Sequence, residues 1–134
     1  MKTQFSHTHT VETANCYFFW EPEGILNLVS KPNSHTTLER AIEENDAVVE
    51  LTNGQPTLLV ADIRNLSSVS SEAREYIAQP EIAGLYKAVG MIVGNVFSRV
   101  IGSFVLGFVS NGYPVKMFTN REKAVSWLKS LDLS

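Results

Sequence analysis

The 134-residue sequence contains a single cysteine, no cluster of basic residues and no amino-terminal apolar segment of the kind that directs secretion. Each absence excludes a class of protein. Cys16 alone cannot build an intramolecular disulfide framework, and a lone thiol is typical of a reducing cytoplasm. The sequence has 11 Lys and Arg against 14 Asp and Glu, so it has no excess of positive charge to neutralise the phosphate backbone of a nucleic acid. We therefore expect a cytoplasmic protein that does not bind nucleic acid.

Long apolar stretches free of charge are also missing. The longest candidate, residues 88–109, carries Arg99 at its middle. A charge at that depth of a membrane costs about 2.5–3.5 kcal/mol on insertion scales. We therefore expect this stretch to belong to a soluble core and the protein not to be transmembrane.

Groups for metal or acid-base chemistry are sparse as well. His7 and His9 lie in residues 1–15, which we expect to be a flexible tail, and two histidines without a third ligand do not make a metal site. Only His35 lies outside this tail, and no Gly-x-Ser-x-Gly, His-Glu-x-x-His or glycine-rich phosphate loop is present. Nothing near Cys16 would lower its pKa, so we expect a small buried side chain. The sequence predicts no enzyme, no metal and no cofactor.

What is present is an alternation of short apolar runs with amphipathic segments, in a chain that is 44% hydrophobic. Residues 16–134 are expected to form one domain. Continuous apolar runs bounded by turns indicate strands buried on both faces, as in a parallel sheet covered by helices. The sequence thus predicts an α/β fold with a mostly parallel mixed sheet. The predicted strands are an antiparallel hairpin, 16–20 with 25–29, and then 57–63, 88–93 and 114–118.

Helix starts are predicted from capping patterns. The candidates are Thr36 with Glu39, Ser70 or Ser71, Asn95, and Thr119 with Glu122. Residues 48–51 could end the first helix or form a strand before an Asn53-Gly54 turn, and both alternatives are open.

A polar segment follows the central apolar strand. Because ligands of parallel sheets bind at the carboxyl ends of strands, we predict an interaction surface there. Its members are Asp62, Arg64, Asn65, Ser67, Ser68, Ser70 and Ser71. Asp62 could act as a site acid or hydrogen-bond the turn backbone. Arg99, on the predicted helix 95–110, is added as a group that could bind an anion or a partner carboxylate.

Residues 59–71, LVADIRNLSSVSS, resemble the strand-turn-helix of STAS domains, the anti-sigma factor antagonist class typified by SpoIIAA. Residues 95–102, 114–119 and 122–128 are similar to an uncharacterised bacterial group with the same fold. The resemblance implies a SpoIIAA-like fold and a regulatory module that binds a protein partner. It places the phosphoacceptor serine at Ser71, with Ser70 where that class has an aspartate. The fold likeness extends to CRAL-TRIO lipid-transfer proteins, so the alternative is a carrier or sensor of a lipid or other small apolar ligand.

The predicted helix 95–110 also bears on assembly. Its nominal outer face keeps Val96, Leu106 and Val109 beside Gly102 and Ser103. A helix that is apolar almost all round must be buried on two sides. We therefore expect a homodimer, with cover by the aromatic hairpin 16–29 as the rival explanation.

Overall fold

The computed structural model describes residues 10–94 and 112–131, and at its centre is a six-stranded mixed sheet. From edge to edge the strands are β1 (Thr10–Glu12), β2 (Cys16–Trp20), β3 (Ile25–Ser30), β5 (Thr57–Asp62), β7 (Tyr86–Ile92) and β8 (Val115–Phe118). The first three are antiparallel neighbours, and every pair from β3 to β8 is parallel. A separate two-stranded parallel sheet is formed by β4 (Ser34–Thr36) and β6 (Leu66–Val69). The predicted α/β fold, with an antiparallel hairpin leading into a mostly parallel sheet, is confirmed.

Four helices are described: α1 (Leu38–Thr52), α2 (Ser71–Ile77), α3 (Pro80–Ala83) and α4 (Arg121–Ser130). Three of them begin at a side chain that accepts a hydrogen bond from a backbone N–H three residues later. These caps are Thr37, Ser70 and Asn120. The predictions of Thr36 and Thr119 were each wrong by one residue, and Ser70 is the cap of the two serines considered.

The carboxyl end of α1 decides between the two alternatives for residues 48–51. These residues are helical, and the helix ends at Asn53, which has φ 55° and lies in the left-handed region that asparagine tolerates. Gly54 follows at φ 72°. The Asn-Gly pair therefore terminates a helix and does not form a hairpin turn.

Two apolar layers cover the two faces of the sheet. On one face Phe18, Leu59 and Met91 pack in a cluster with Val48 of α1. On the other face α4 packs against the sheet, and the buried residues there are Ile25, Val60, Ala88, Ile92, Ala124 and Leu128. A Cβ added at Gly90 would meet Cβ of Ala124 at 3.3 Å, so this glycine lets α4 approach closely. Burial on both faces explains why the central strands are apolar without alternation.

The serine-rich segment is not the simple turn that the sequence suggested. Leu66–Val69 forms β6, which pairs with β4, a strand that the sequence did not predict. The backbone N–H of Ser70 then donates to the carbonyl of Thr36 at 2.9 Å. This small sheet joins the residues preceding α1 to those preceding α2.

The amino-terminal segment also differs from prediction where it is described. Thr10–Glu12 is the edge strand β1, with Thr10 opposite Phe19 and Glu12 opposite Tyr17. Val11 packs against the core, which explains why part of the expected tail 1–15 is ordered into the sheet. His7 and His9, and the predicted helix 95–110 with Arg99, lie outside the described residues.

Within residues 10–94 and 112–131, no helix combines enough length with enough apolar character to cross a bilayer.

Candidate functional site

The carboxyl end of β5 carries a paired carboxylate and guanidinium. Asp62 is 5% exposed, whereas the side chain of Arg64 is about half exposed. Arg64 donates through Nε to Oδ1 at 2.9 Å and through Nη2 to Oδ2 at 2.6 Å, and its backbone N–H reaches Oδ1 at 3.3 Å. This two-point contact raises the pKa of Arg64. The carboxylate of Asp62 therefore stabilises the turn and fixes the guanidinium of Arg64 at the surface.

A second polar pair links the small sheet. Nδ1 of His35 in β4 lies 2.6 Å from Oγ of Ser68 in β6. His35 and Ser67 are exposed, while Ser68 is half-buried. The hydroxyl of Ser68 is thus hydrogen-bonded to the imidazole of His35. The sequence analysis did not include His35 in the candidate surface, because the two residues are 33 positions apart and only the β4–β6 pairing brings them together.

The two serines at the start of α2 have different roles. Oγ of Ser70 accepts the N–H of Ala73 at 3.1 Å and so caps the helix. Ser71 is the first helical residue and is exposed. Nη1 of Arg74 donates to the carbonyl of Val69 at 3.1 Å, which holds a guanidinium at the beginning of this helix. A negative charge added to Ser71 would therefore meet backbone N–H groups and a nearby cation.

The residues of the predicted surface run from the last residue of β5 to the first residue of α2. They are Asp62, Arg64, Asn65, Ser67, Ser68, Ser70 and Ser71, of which Arg64, Asn65, Ser67 and Ser71 are exposed. Arg99 lies outside the described residues. We call this segment, with His35, the β5–α2 surface.

A cavity of about 60 Å³ lies between α1 and the sheet. Most of its wall is apolar, contributed by Leu28, Leu59, Ala61, Ile63, Ile77 and Ile82. Polar side chains also line it, among them Cys16, Glu44, Asn45, Tyr76 and Tyr86. Oε2 of Glu44 and Oδ1 of Asn45 are buried without a hydrogen-bond partner among the described residues. We call this space the α1 cavity.

The ionisable groups of the α1 cavity are shifted by burial. Desolvation raises the pKa of Glu44 to about 7, and Glu43 adds to the rise, while a hydrogen bond with Cys16 and the charge of Arg40 oppose it. Burial and the neighbouring Glu44 raise the pKa of the Cys16 thiol well above its ordinary value. The thiol therefore stays protonated, which argues against a nucleophilic role.

The polar members of this cavity were missed by sequence reasoning, although one signal was present. Ala41, Glu44 and Val48 follow one another at spacings of three and four along α1, the spacing of a single helix face. An acidic residue on such an apolar face is unusual because a buried carboxylate loses its hydration. The remaining wall comes from α2, α3 and the strands β2 to β7, which only the tertiary fold brings together.

Comparison with known protein families identifies the family of this chain. Residues 19–132 match the family model described as Domain of unknown function (DUF7793). The chain belongs to this family. A search of curated proteins finds no match for the DUF7793 domain.

One solved structure similar to the DUF7793 domain is an uncharacterised protein of the DUF3478 family from Shewanella loihica PV-4, which has a SpoIIAA-like fold. The two chains are 14% identical, the match covers 90% of each, and the TM-score is 0.58. At this identity the likeness establishes the fold and leaves activity open. The predicted SpoIIAA-like, STAS-like fold is confirmed.

Across residues 10–94 and 112–131, no three or more His, Cys, Asp or Glu side chains lie close enough to share a metal ion.

Proposed function

We propose that this DUF7793 domain is a non-enzymatic, cytoplasmic regulatory module that binds a protein partner through the β5–α2 surface and is switched by phosphorylation of Ser71. The observation that carries the proposal is the exposed position of Ser71 as the first residue of α2. The SpoIIAA-like fold supports it, and so does the resemblance of residues 59–71 to anti-sigma factor antagonists, which implies a phosphoacceptor at Ser71.

The local geometry suits a phosphoserine. Since Ser70 supplies the cap, the hydroxyl of Ser71 is not needed to start the helix. A phosphate adds about 1.5 to 2 negative charges at pH 7, which the helix start and Arg74 would stabilise. The exposed guanidinium of Arg64 adds a positive group to the same segment. Phosphorylation would thus change the charge of the β5–α2 surface while leaving the fold intact.

The test has two parts. Protein purified from its own host is examined by mass spectrometry for a phosphate on Ser71, and partner capture is compared for wild type, Ser71→Asp and Ser71→Ala. We expect Ser71→Asp and Ser71→Ala to differ in the partner that they retain, and Ser126→Asp, a control at an exposed serine of α4 outside this surface, to behave as wild type. Equal capture by all four proteins, with no phosphate on Ser71, would show that this turn has only a structural role.

A second candidate function is a sensor of a small ligand, which the α1 cavity favours. A cavity of about 150 Å³ holds benzene, so about 60 Å³ is too small for a lipid chain and suits a ligand of a few heavy atoms. This observation supports sensing over lipid carriage. Native mass spectrometry of protein from its own host, compared with denatured protein, tests it: a small retained mass supports the sensor.

The expected homodimer stays a prediction, because the helix on which it rests is outside the described residues. Light scattering at micromolar concentration measures it directly. Twice the monomer mass is expected.

A further inference from the structure

We propose that the α1 cavity is a binding site for a small organic cation, a protonated primary amine with a short apolar body, whose ammonium group donates to Oε2 of Glu44 and Oδ1 of Asn45. This inference gives a ligand class to the second candidate function. It is independent of the proposed switch at Ser71.

Two polar side-chain atoms of the α1 cavity lack hydrogen-bond partners among the described residues, Oε2 of Glu44 and Oδ1 of Asn45. Both are acceptors, a carboxylate oxygen and an amide oxygen, and both are buried. A hydrogen bond with Asn45 partly offsets the rise in the pKa of Tyr76, while Oδ1 of Asn45 has no partner among the described residues. The amide oxygen of Asn45 is therefore left for a donor. A buried acceptor without a donor is destabilising, and a ligand that supplies N–H groups removes this cost at both atoms.

The electrostatics of the α1 cavity favour a ligand that carries a positive charge. Glu44 lies in a mostly apolar space, so its charged form is disfavoured until a cation enters. A neutral donor would satisfy the hydrogen bonds, but only a cation also offsets the loss of hydration of the carboxylate. An ammonium group has three donors and no acceptor, which matches two acceptors at neighbouring positions of α1.

The apolar lining of the α1 cavity suits a short alkyl group. It includes Leu28, Leu59, Ala61, Ile77 and Ile82. Tyr86 lines both the α1 cavity and a more open surface concavity of about 420 Å³ that includes Pro80 and Gly84. Tyr86 thus separates the two spaces.

The charged and titratable groups facing Glu44 come from several elements. Burial keeps the thiol of Cys16 and the phenol of Tyr86 protonated through neutral pH, because the pKa of each is raised. Arg40 and Glu43 on α1 form an ion pair with each other at 3.0 Å. Glu44 is therefore the group whose protonation changes near pH 7, and a bound ammonium favours its ionised form. We expect the affinity for an amine to rise about tenfold from pH 6 to pH 8, because the pKa of Glu44 is about 7.

The experiment titrates the full chain with n-propylammonium chloride and, as a neutral match of the same size, with 1-propanol. A four-heavy-atom ligand has a best Kd of roughly tens of micromolar, so two-dimensional NMR with ligand concentrations up to the millimolar range is the suitable measurement. We expect shifts of amides around Glu44 and Leu59, and a Kd for the ammonium at least about tenfold lower than for the alcohol at pH 8.

Variants make the test specific. Glu44→Gln keeps the size of the side chain and its acceptor oxygen but removes the charge, so it should weaken ammonium binding about tenfold or more and leave the binding of 1-propanol unchanged. Glu50→Gln, an exposed position on the same helix, is the matched control and should bind as wild type. Ala61→Val fills the cavity and should reduce the binding of both probes; its amide spectrum reports whether the fold is kept.

Each other outcome contradicts the proposal. Equal binding of ammonium and alcohol, unchanged in Glu44→Gln, would establish an apolar ligand site. The sensor function would then be kept, and a cation as its ligand would be rejected. Failure of both probes to shift any amide near Glu44 would overturn the ligand class and count against the sensor function. Neither result bears on Ser71.

Discussion

The raised pKa of Glu44 predicts an unusual pH dependence of stability. In the folded protein its pKa is about 7, against an ordinary value of 4.5, so between these values the folded state holds a proton that the unfolded state has lost. The free energy of unfolding must therefore fall as the pH rises through this window. The difference in pKa corresponds to about 3 kcal/mol. No penalty exists below pH 4.5, and the full penalty is present above pH 7.

The substitution Glu44→Gln isolates this effect. The amide has a similar size and does not titrate, so the stability of the wild type relative to Glu44→Gln should decrease by about 3 kcal/mol between pH 4.5 and pH 8. Other groups titrate in both proteins and cancel in the difference. Urea unfolding at four pH values, followed by tryptophan fluorescence, measures it.

The matched control is Glu50→Gln, which is exposed on α1 and should give a profile parallel to that of the wild type. If the profiles of wild type and Glu44→Gln are parallel from pH 4.5 to pH 8, Glu44 is solvated in solution and the reasoning fails. A wild type that gains stability relative to Glu44→Gln as the pH rises would mean that a cation of the protein itself pairs with the carboxylate.

Three further substitutions test the contacts that shape the β5–α2 surface and the sheet. Ser70→Ala should lower the free energy of unfolding by about 1 kcal/mol and Ser71→Ala by less than about 0.5 kcal/mol; equal losses in urea unfolding would contradict the assignment of the cap. Arg64→Ala leaves the buried carboxylate of Asp62 without its cation and should cost about 1–3 kcal/mol, so wild-type stability in this variant would mean that the pair holds nothing in place. Gly90→Leu forces a side chain into α4 and should cost about 1–3 kcal/mol or more; an unchanged melting temperature would show that α4 moves away freely.

Local chemistry explains what the sequence could predict. The hairpin Cys16–Trp20 with its partner strand, and the central strand Thr57–Asp62, were recognisable because apolar runs between turn residues are typical of buried strands. The caps of α1 and α4 were displaced by one residue because the chain offers two acceptable caps in succession, Thr36 with Thr37 and Thr119 with Asn120. Only the backbone conformation selects between them.

Tertiary contacts explain what the sequence could not predict. The strand Leu66–Val69 looks like a polar turn on its own and becomes a strand because Ser34–Thr36 pairs with it. The α1 cavity needs Cys16, Glu44 and Tyr86, which are far apart in sequence, to meet across one face of the sheet. Ser71 was predictable as the start of a helix. Only the structure shows that Ser70 is the capping residue, which means that the hydroxyl of Ser71 does not cap the helix.

The small sheet of β4 and β6 has a consequence for how the molecule opens. It links the chain just before α1 to the chain just before α2, and the bond from Ser70 to Thr36 extends that link to the first turn of α2. Segments joined in this way tend to lose hydrogen-exchange protection as one cooperative unit. The amides of Ser34–Thr36 and Leu66–Val69 should then exchange at a common rate, and a charge placed on Ser71 should change that rate on both strands, including the one that precedes α1.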